Sequence, residues 1–322
     1  MAGAINSIIV GVHAKSPPLE VIRVQLERQM RKCANTRVYL AMNGASEANF
    51  LKAKKWSNEC LKVQCFDFAT SGKQATYAEA HMCVSNDSDS AIFLDSDIRF
   101  ESEETLYLMQ LALRDANVGV CVPAGYHYMV CEEEDDDVYC RHEGCLSALA
   151  NEIINAESVS RLIGAVENLD THLICEVYRG RNIYDSRCRK IKVRGSCYGV
   201  SCERAPVRPH DLHSDDLFYQ WWARENHLEI RHVDGLCYDL VSFCGREMAL
   251  REWRYARGAI QFVRRYTDFC DPSRIANEYL SRSRRLLGKN PGYSVFAAFR
   301  GKCCTFASEL DFKSLEASLW RF

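Results

Sequence analysis

Asp95 and Asp97 close the hydrophobic run Ala91-Ile92-Phe93-Leu94, so a stretch that belongs in a core ends on two carboxylates one residue apart. Like charges this close repel unless a cation or a proton relieves them. A divalent metal bridging to substrate phosphates would do so, because Mg2+ and Mn2+ prefer oxygen ligands. The plainer reading of the same tripeptide is a strand-ending turn, with Asp95 capping the amides of Ser96 or Ile98. Three further groups can do chemistry. Gly72-Lys73 stand where a helix should start, and backbone amides beside an ammonium suit a phosphate or a ribose. Ser214-Asp215-Asp216 open another helix, where Ser and Asp serve as caps and where a general base could be held rigidly. Arg251 and Arg254 sit in an arginine-rich segment interleaved with aromatics, at a spacing that lets them share a helix face. Guanidinium forks match phosphate oxygens. Cys131, Cys140, His142 and Cys145 flank or follow the acidic run "CEEEDDDVYC", which reads as a solvated loop. They could hold a structural zinc, although the spacing matches no tight paired-ligand pattern.

Positioning these groups requires alternating strands and helices, and the first 125 residues provide them. "NSIIVGV", "TRVYLAM", "LKVQCFDF", "SAIFLDSD" and "VGVCVPA" read as five strands. "LEVIRVQLERQMRKCAN", "GKQATYAEAHMCVSN" and "SEETLYLMQLALRDA" read as helices between them. Alternation of this kind predicts βαβ units, hence an α/β fold with a mostly parallel central sheet flanked by helices. Ligands bind such sheets at the carboxyl ends of the strands, which is where Asp95 and Asp97 fall.

The chain has 322 residues, 47% hydrophobic and 26% charged, enough for a full core and too apolar for disorder. No apolar run approaches 18 residues, so no membrane span is expected. The N-terminal stretch enters a strand without a basic leader, which predicts no signal peptide. The 17 scattered cysteines then read as free thiols in a reducing, cytoplasmic setting. Charge divides the chain. Residues 1–240 carry 26 Lys/Arg against 35 Asp/Glu, whereas 241–322 carry 15 against 8. The densest part, 246–302, has 13 basic against 5 acidic residues. A basic segment of this kind can face an anion such as a diphosphate, a lipid headgroup or nucleic acid, or it can be a solvated helical face.

The order of the segments "SIIVGVHA", "AMNGAS", "SGKQATYAEA", "FLDSD", "VRGSCYGVSCERA", "HSDDLFYQWWARENHLEIRHVDG" and "REWRYARGAIQ" resembles that of the inverting family-2 glycosyltransferases of GT-A fold. Within them the hyaluronan, chitin and cellulose synthases and their soluble relatives come closest. The resemblance covers residues 5 to 265, with a gap at 126–190. It implies a GT-A domain over 1–245 with an insertion at about 126–190, then a mainly helical basic extension over 246–322 packing on it. It implies a nucleotide-diphosphate sugar donor, UDP-linked by analogy, and a Mn2+ or Mg2+ cofactor. Asp97 would hold the metal, and Asp95 the ribose or the metal shell. His232 would be a third ligand, with Asp234 as the other candidate. Asn43, Lys73, Arg251 and Arg254 would contact the donor, and Trp221, Trp222 and Tyr255 would stack on the acceptor. Asp216 would be the base that activates an acceptor hydroxyl. Asn43 stands where the family carries an aspartate that contacts the uracil, and Arg251 and Tyr255 replace a Gln and a Trp. The membrane helices of the processive members are absent from this sequence. The acceptor stays open among a glycan, a lipid-linked saccharide, a protein side chain and a hydroxylated nucleic-acid base. A polyanion such as DNA or an anionic lipid carrier would suit the segment 246–302. A sugar-phosphate nucleotidyltransferase and a non-catalytic nucleotide-sugar binding protein are the alternatives.

Overall fold

The computed structural model describes residues 5–309 except 15, 34, 69–71, 130–135, 168, 188–192, 194, 241–243 and 267–270. The chain divides into two compact units, residues 1–127 with 190–240, and residues 128–189 with 241–322. Cys131 lies outside the described residues, as do the side chains of Cys140 and His142, whereas Cys145 is exposed.

The first unit is built on one eight-stranded sheet. In chain order it contains β1 (Asn6–His13), α1 (Leu19–Met30), β2 (Thr36–Asn43), α2 (Glu47–Glu59), β3 (Val63–Asp67), α3 (Lys73–Ser85), β4 (Ser90–Asp95), β5 (Ile98–Phe100), α4 (Thr105–Leu113) and β6 (Val118–Met129). The second unit then contributes α5 (Asp136–Ile154), α6 (Val159–Glu167) and α7 (Thr171–Arg187). The chain returns to the sheet with β7 (Cys197–Ser201), α8 (Asp215–Glu225) and β8 (Glu229–Leu240), and finishes on α9 (Gly245–Tyr266), α10 (Pro272–Leu286) and α11 (Pro291–Glu309).

The strand order is β3-β2-β1-β4-β7-β6-β8-β5. The first four strands in the sheet are parallel, as the alternation predicts. Strand β7 runs antiparallel to β4 and to β6, and β5 antiparallel to β8. Continuous apolar runs make the parallel half, because both of its faces are covered. Ile8, Ile9, Val10, Leu40, Ile92 and Leu94 are all fully buried. The strand order reverses direction at β1, which has β2 on one side and β4 on the other. A crevice opens at such a switch point outside the carboxyl ends of the strands. His13, Asn43 and Asp95 end β1, β2 and β4 there.

The second unit is helical. Helix α11 is its centre and packs against α5, α7, α9 and α10. Helix α5 ends at Ile154 and α6 starts at Val159.

Candidate functional site

The site in the first unit grows from the end of β4. Asp95 is held by its strand, its N–H donating to Ser196 O at 2.9 Å. Its half-buried carboxylate receives the Lys73 ammonium on both oxygens, at 2.6 Å to Oδ2 and 2.5 Å to Oδ1. Lys73 is the first residue of α3, and one helical turn later Tyr77 points the same way. The single Tyr77 proton lies between Leu94 O at 2.5 Å and Asp95 Oδ1 at 2.9 Å. Burial, with the Asp95 charge beside it, pushes the Tyr77 phenol well above its ordinary pKa, so it remains a donor. Tyr77 lies across Gly11 of β1, where a Cβ would stand 2.7 Å from Tyr77 Cε1. Only glycine admits the ring there. Tyr77 and Gly11 have no part in the sequence-level reading, although the spacing of Lys73 and Tyr77 places them on one helix face.

Asp97 follows in the turn between β4 and β5, half-buried, and Ser96 between the two aspartates is buried and donates to Ser16 Oγ at 2.7 Å. Burial lowers the pKa of Arg99, an effect that the Asp97 charge only partly offsets. Asn43 donates to Thr76 Oγ1 of α3 at 2.6 Å, which joins the end of β2 to the helix that carries Lys73.

Asp215 and Asp216 are the first two residues of α8. Asp215 is buried, its Oδ2 accepting the Tyr198 hydroxyl at 3.0 Å and its Oδ1 the Asp216 N–H at 3.1 Å. Asp216 is half-buried and accepts the Leu217 N–H at 2.9 Å on Oδ1. Two carboxylates are tolerated here because the helix N-terminus presents unpaired N–H groups and a positive dipole end. Gly195, just before β7, joins both halves of the site. A Cβ on it would come within 3.2 Å of Asp215 Oδ1 and 3.9 Å of Asp216 Cβ, and its carbonyl lies 3.5 Å from Lys73 Nζ. The structure thus brings Lys73, Asp95, Asp215 and Asp216 around one short segment, Gly195-Ser196.

Two expected residues do not fit the roles the resemblance implies. His232 is exposed on β8, where Ile98 pairs with Asp239. At the strand rise this leaves His232 roughly 20 Å along β8 from the end beside Asp97, too far to share a metal with it. Asp234 is exposed on the same strand. Trp222 is buried, and a Cβ on Gly119 would meet it at 3.1 Å, so it fills the core rather than offering a face to an acceptor. Trp221 is half-buried beside Phe218, with ring centroids 6.0 Å apart.

In the second unit, Arg251, Arg254 and Tyr255 lie on α9. Arg251 is half-buried with its guanidinium 4.8 Å from the Tyr128 ring, whereas Arg254 and Tyr255 are exposed. Between them Glu252 is buried and takes Arg300 of α11 and, at 3.5 Å, Arg181 of α7. Arg181 is itself sandwiched between Tyr128 and Phe296 at 4.1 and 4.2 Å. These contacts fix the rotation of α9 that leaves Arg254 and Tyr255 at the surface.

Among the described residues no group of three or more His, Cys, Asp or Glu could enclose a metal. Asp95 and Asp97 nonetheless suit a hard cation that substrate phosphates and water complete, the usual manner of Mg2+. Of the two, Asp97 is the better ligand, since the Lys73 ammonium already neutralises Asp95. No helix among the described residues is long and apolar enough to cross a membrane.

No family model and no curated protein matches the chain. Solved structures do resemble it. The mannosyltransferase PcManGT from Pyrobaculum calidifontis, in complex with GDP-Man and Mn2+, matches at a TM-score of 0.53 and 13% identity over 98% of this chain and 80% of that one. Glucosyl-3-phosphoglycerate synthase from Mycobacterium tuberculosis, in complex with Mn2+, UDP and phosphoglyceric acid, matches at 0.47 and 11% over 82% and 79%. S. aureus TarS matches at 0.44 and 10% over 95% of this chain and 55% of that one. The fold is of the GT-A glycosyltransferase type, a mixed α/β sheet flanked by helices with a helical C-terminal part.

Proposed function

We propose that the chain is a metal-dependent inverting glycosyltransferase, akin to family 2 and its hyaluronan and chitin synthase branch, that moves a hexose from a nucleotide-diphosphate sugar to an acceptor hydroxyl. The observation that carries this reading is the convergence of Lys73, Asp95 and the Asp215–Asp216 pair on Gly195-Ser196 at the carboxyl ends of the parallel strands. A phosphate-directed ammonium, paired carboxylates and a candidate base thus meet where such sheets bind ligands.

In this reading Asn43 and Lys73 hold the donor, with Asp95 on its ribose. Asp97 holds a Mn2+ or Mg2+ ion, which when bound would offset the charge developing on the leaving diphosphate. Asp216 accepts the proton of the acceptor hydroxyl, whose oxygen then attacks the anomeric carbon in line, so that configuration inverts. Tyr255, exposed on α9, and half-buried Trp221 remain the aromatic candidates for the acceptor. The donor nucleotide is UDP by the family resemblance, while the Pyrobaculum mannosyltransferase holds GDP-Man. The basic stretch 246–302 favours an anionic acceptor, DNA or a lipid carrier. The test is release of free nucleoside diphosphate from a panel of UDP- and GDP-sugars, with Mn2+ and with pooled acceptors. Turnover of one donor that stops on chelation is expected; no turnover of any donor overturns the reading.

A further inference from the structure

The contacts around the proposed base, Asp216, lead back through Asp215 to Tyr198 on β7. Tyr198 is fully buried on that strand, directly paired with Phe93 of β4 and stacked on it with centroids 4.9 Å apart and planes at 18°. Tyr219 of α8 lies against the same ring at 5.5 Å and is itself 6.3 Å from Phe93, so the three rings form one cluster. Its ring therefore has no room to turn, and its hydroxyl is delivered to one place, Asp215 Oδ2 at 3.0 Å. Burial, and then the Asp215 charge, push the phenol well above its ordinary pKa, which keeps the hydroxyl a donor at every working pH.

Asp215 passes this constraint on. With Oδ2 fixed by Tyr198, its Oδ1 receives the Asp216 N–H at 3.1 Å and faces the backbone of Gly195. Gly195 in turn precedes the residue whose carbonyl accepts the Asp95 N–H at 2.9 Å. The strand that sets Asp95 thus also sets the first turn of α8. We propose that Tyr198 is a positioning residue for Asp216: by pinning Asp215 it fixes the first turn of α8, and with it the base, relative to the donor carboxylate Asp95. This rests on the assignment of Asp216 as the base. The chemistry of Tyr198 is that of a fixed hydrogen-bond donor, and it touches no reacting atom. A buried hydrogen bond to a charged group is strong enough to hold a side chain in one orientation, and misplacing a base forfeits part of its contribution to rate.

The test is a double-mutant cycle on release of nucleoside diphosphate from the best UDP- or GDP-sugar with Mn2+, alongside donor Kd by calorimetry. Tyr198→Phe keeps the stack on Phe93 and removes only the hydroxyl. It should lower kcat about tenfold while donor Kd stays within about twofold. In an Asp216→Asn background the same change should cost nothing further, because the base it positions is gone. Asp215→Asn, which keeps the side chain's shape, should likewise lower kcat and lose its effect in that background. Equal losses from Tyr198→Phe with and without Asp216, or a matching loss of donor affinity, would make Tyr198 a core residue only and overturn the proposal. Wild-type kcat in Tyr198→Phe would overturn it as well. If Asp216→Asn alone keeps wild-type turnover, the base assignment fails first.

Discussion

Replacing Lys73 by Met should move two affinities in opposite directions. The ammonium lies 2.6 Å from Asp95 Oδ2, a gross attraction of about 6 kcal/mol at an effective dielectric constant of ~20. Lys73 and Asp95 retain 30% and 21% of their side-chain exposure, so desolvation and solvent screening return most of that. A net ~1.5 kcal/mol, the low end for hydrogen bonds to charged groups, is the reasonable figure. With methionine the stem is kept, the charge lost, and Tyr77 stays as the hydroxyl donor to the Asp95 carboxylate. Mn2+ titrated without nucleotide should then bind more tightly, because one positive charge has left its neighbourhood. Donor affinity should fall about tenfold or more, because the phosphates lose a cation of that net worth. Lys73→Arg, retaining the charge, should leave the metal arm nearly unchanged. Calorimetry of Mn2+ alone, then of UDP and GDP in saturating Mn2+, reads both arms. Affinities that move together, or a Kd for nucleoside diphosphate that does not move, would refute the placing of Lys73 between Asp95 and the donor.

Asp216→Asn should bind donor as the wild type does and transfer at least ~100-fold more slowly, the scale of a lost general base; a parallel loss of donor affinity would make Asp216 part of the metal shell. His81, buried under Tyr219 and Phe93, has its pKa lowered to about 4, chiefly by burial and then by Arg208. The unfolded chain therefore takes up a proton that the folded one refuses below about pH 6.5, and stability is undiminished above that pH. It should fall by up to about 3 kcal/mol by pH ~4, and urea midpoints at pH 7 and 5 should converge in His81→Gln; an unchanged pH dependence would exclude His81 as the cause. Arg284 and Arg285 are exposed at the end of α10, whereas Arg282 lies over Tyr184 and Tyr279 and donates to the Tyr293 hydroxyl at 3.4 Å. Replacing Arg284 and Arg285 by Gln should flatten the salt dependence of transfer to a polyanionic acceptor and leave donor hydrolysis untouched; salt-insensitive transfer in both proteins would mark these arginines as solvated surface.

What was legible in the sequence follows from periodicity. Short apolar runs such as Ile8–Val10 and Ile92–Leu94, rich in β-branched and aromatic residues and bounded by polar or turn residues, read as buried strands, and the polar residues at their carboxyl ends mark the ligand edge. The antiparallel half is harder to read. Strand β5 has three residues, and β7 pairs with β4 across more than a hundred residues of chain, so register there depends on tertiary pairing. Paired carboxylates are conspicuous because their mutual repulsion asks for a cation or a proton. Tyr77 and Tyr198 were invisible as site residues because aromatics in apolar segments ordinarily mean core. Only the direction of their hydroxyls, toward Asp95 and Asp215, distinguishes them. Trp222 fails in the converse way, since an aromatic next to a candidate base need not face it. His232 fails because sequence proximity to the Asp215–Asp216 helix says nothing about position along β8.

The role proposed for Asp97 is to carry a divalent cation that donor phosphates complete. The direct measurement is calorimetric titration of UDP and GDP into wild type and Asp97→Ala, each with Mn2+ and with EDTA. Nucleoside diphosphate should bind the wild type at least ~10-fold more tightly with Mn2+, and Asp97→Ala should lose this enhancement while its circular dichroism and melting temperature stay those of the wild type. Mn2+-enhanced binding that survives in Asp97→Ala, or wild-type binding indifferent to Mn2+, would contradict it.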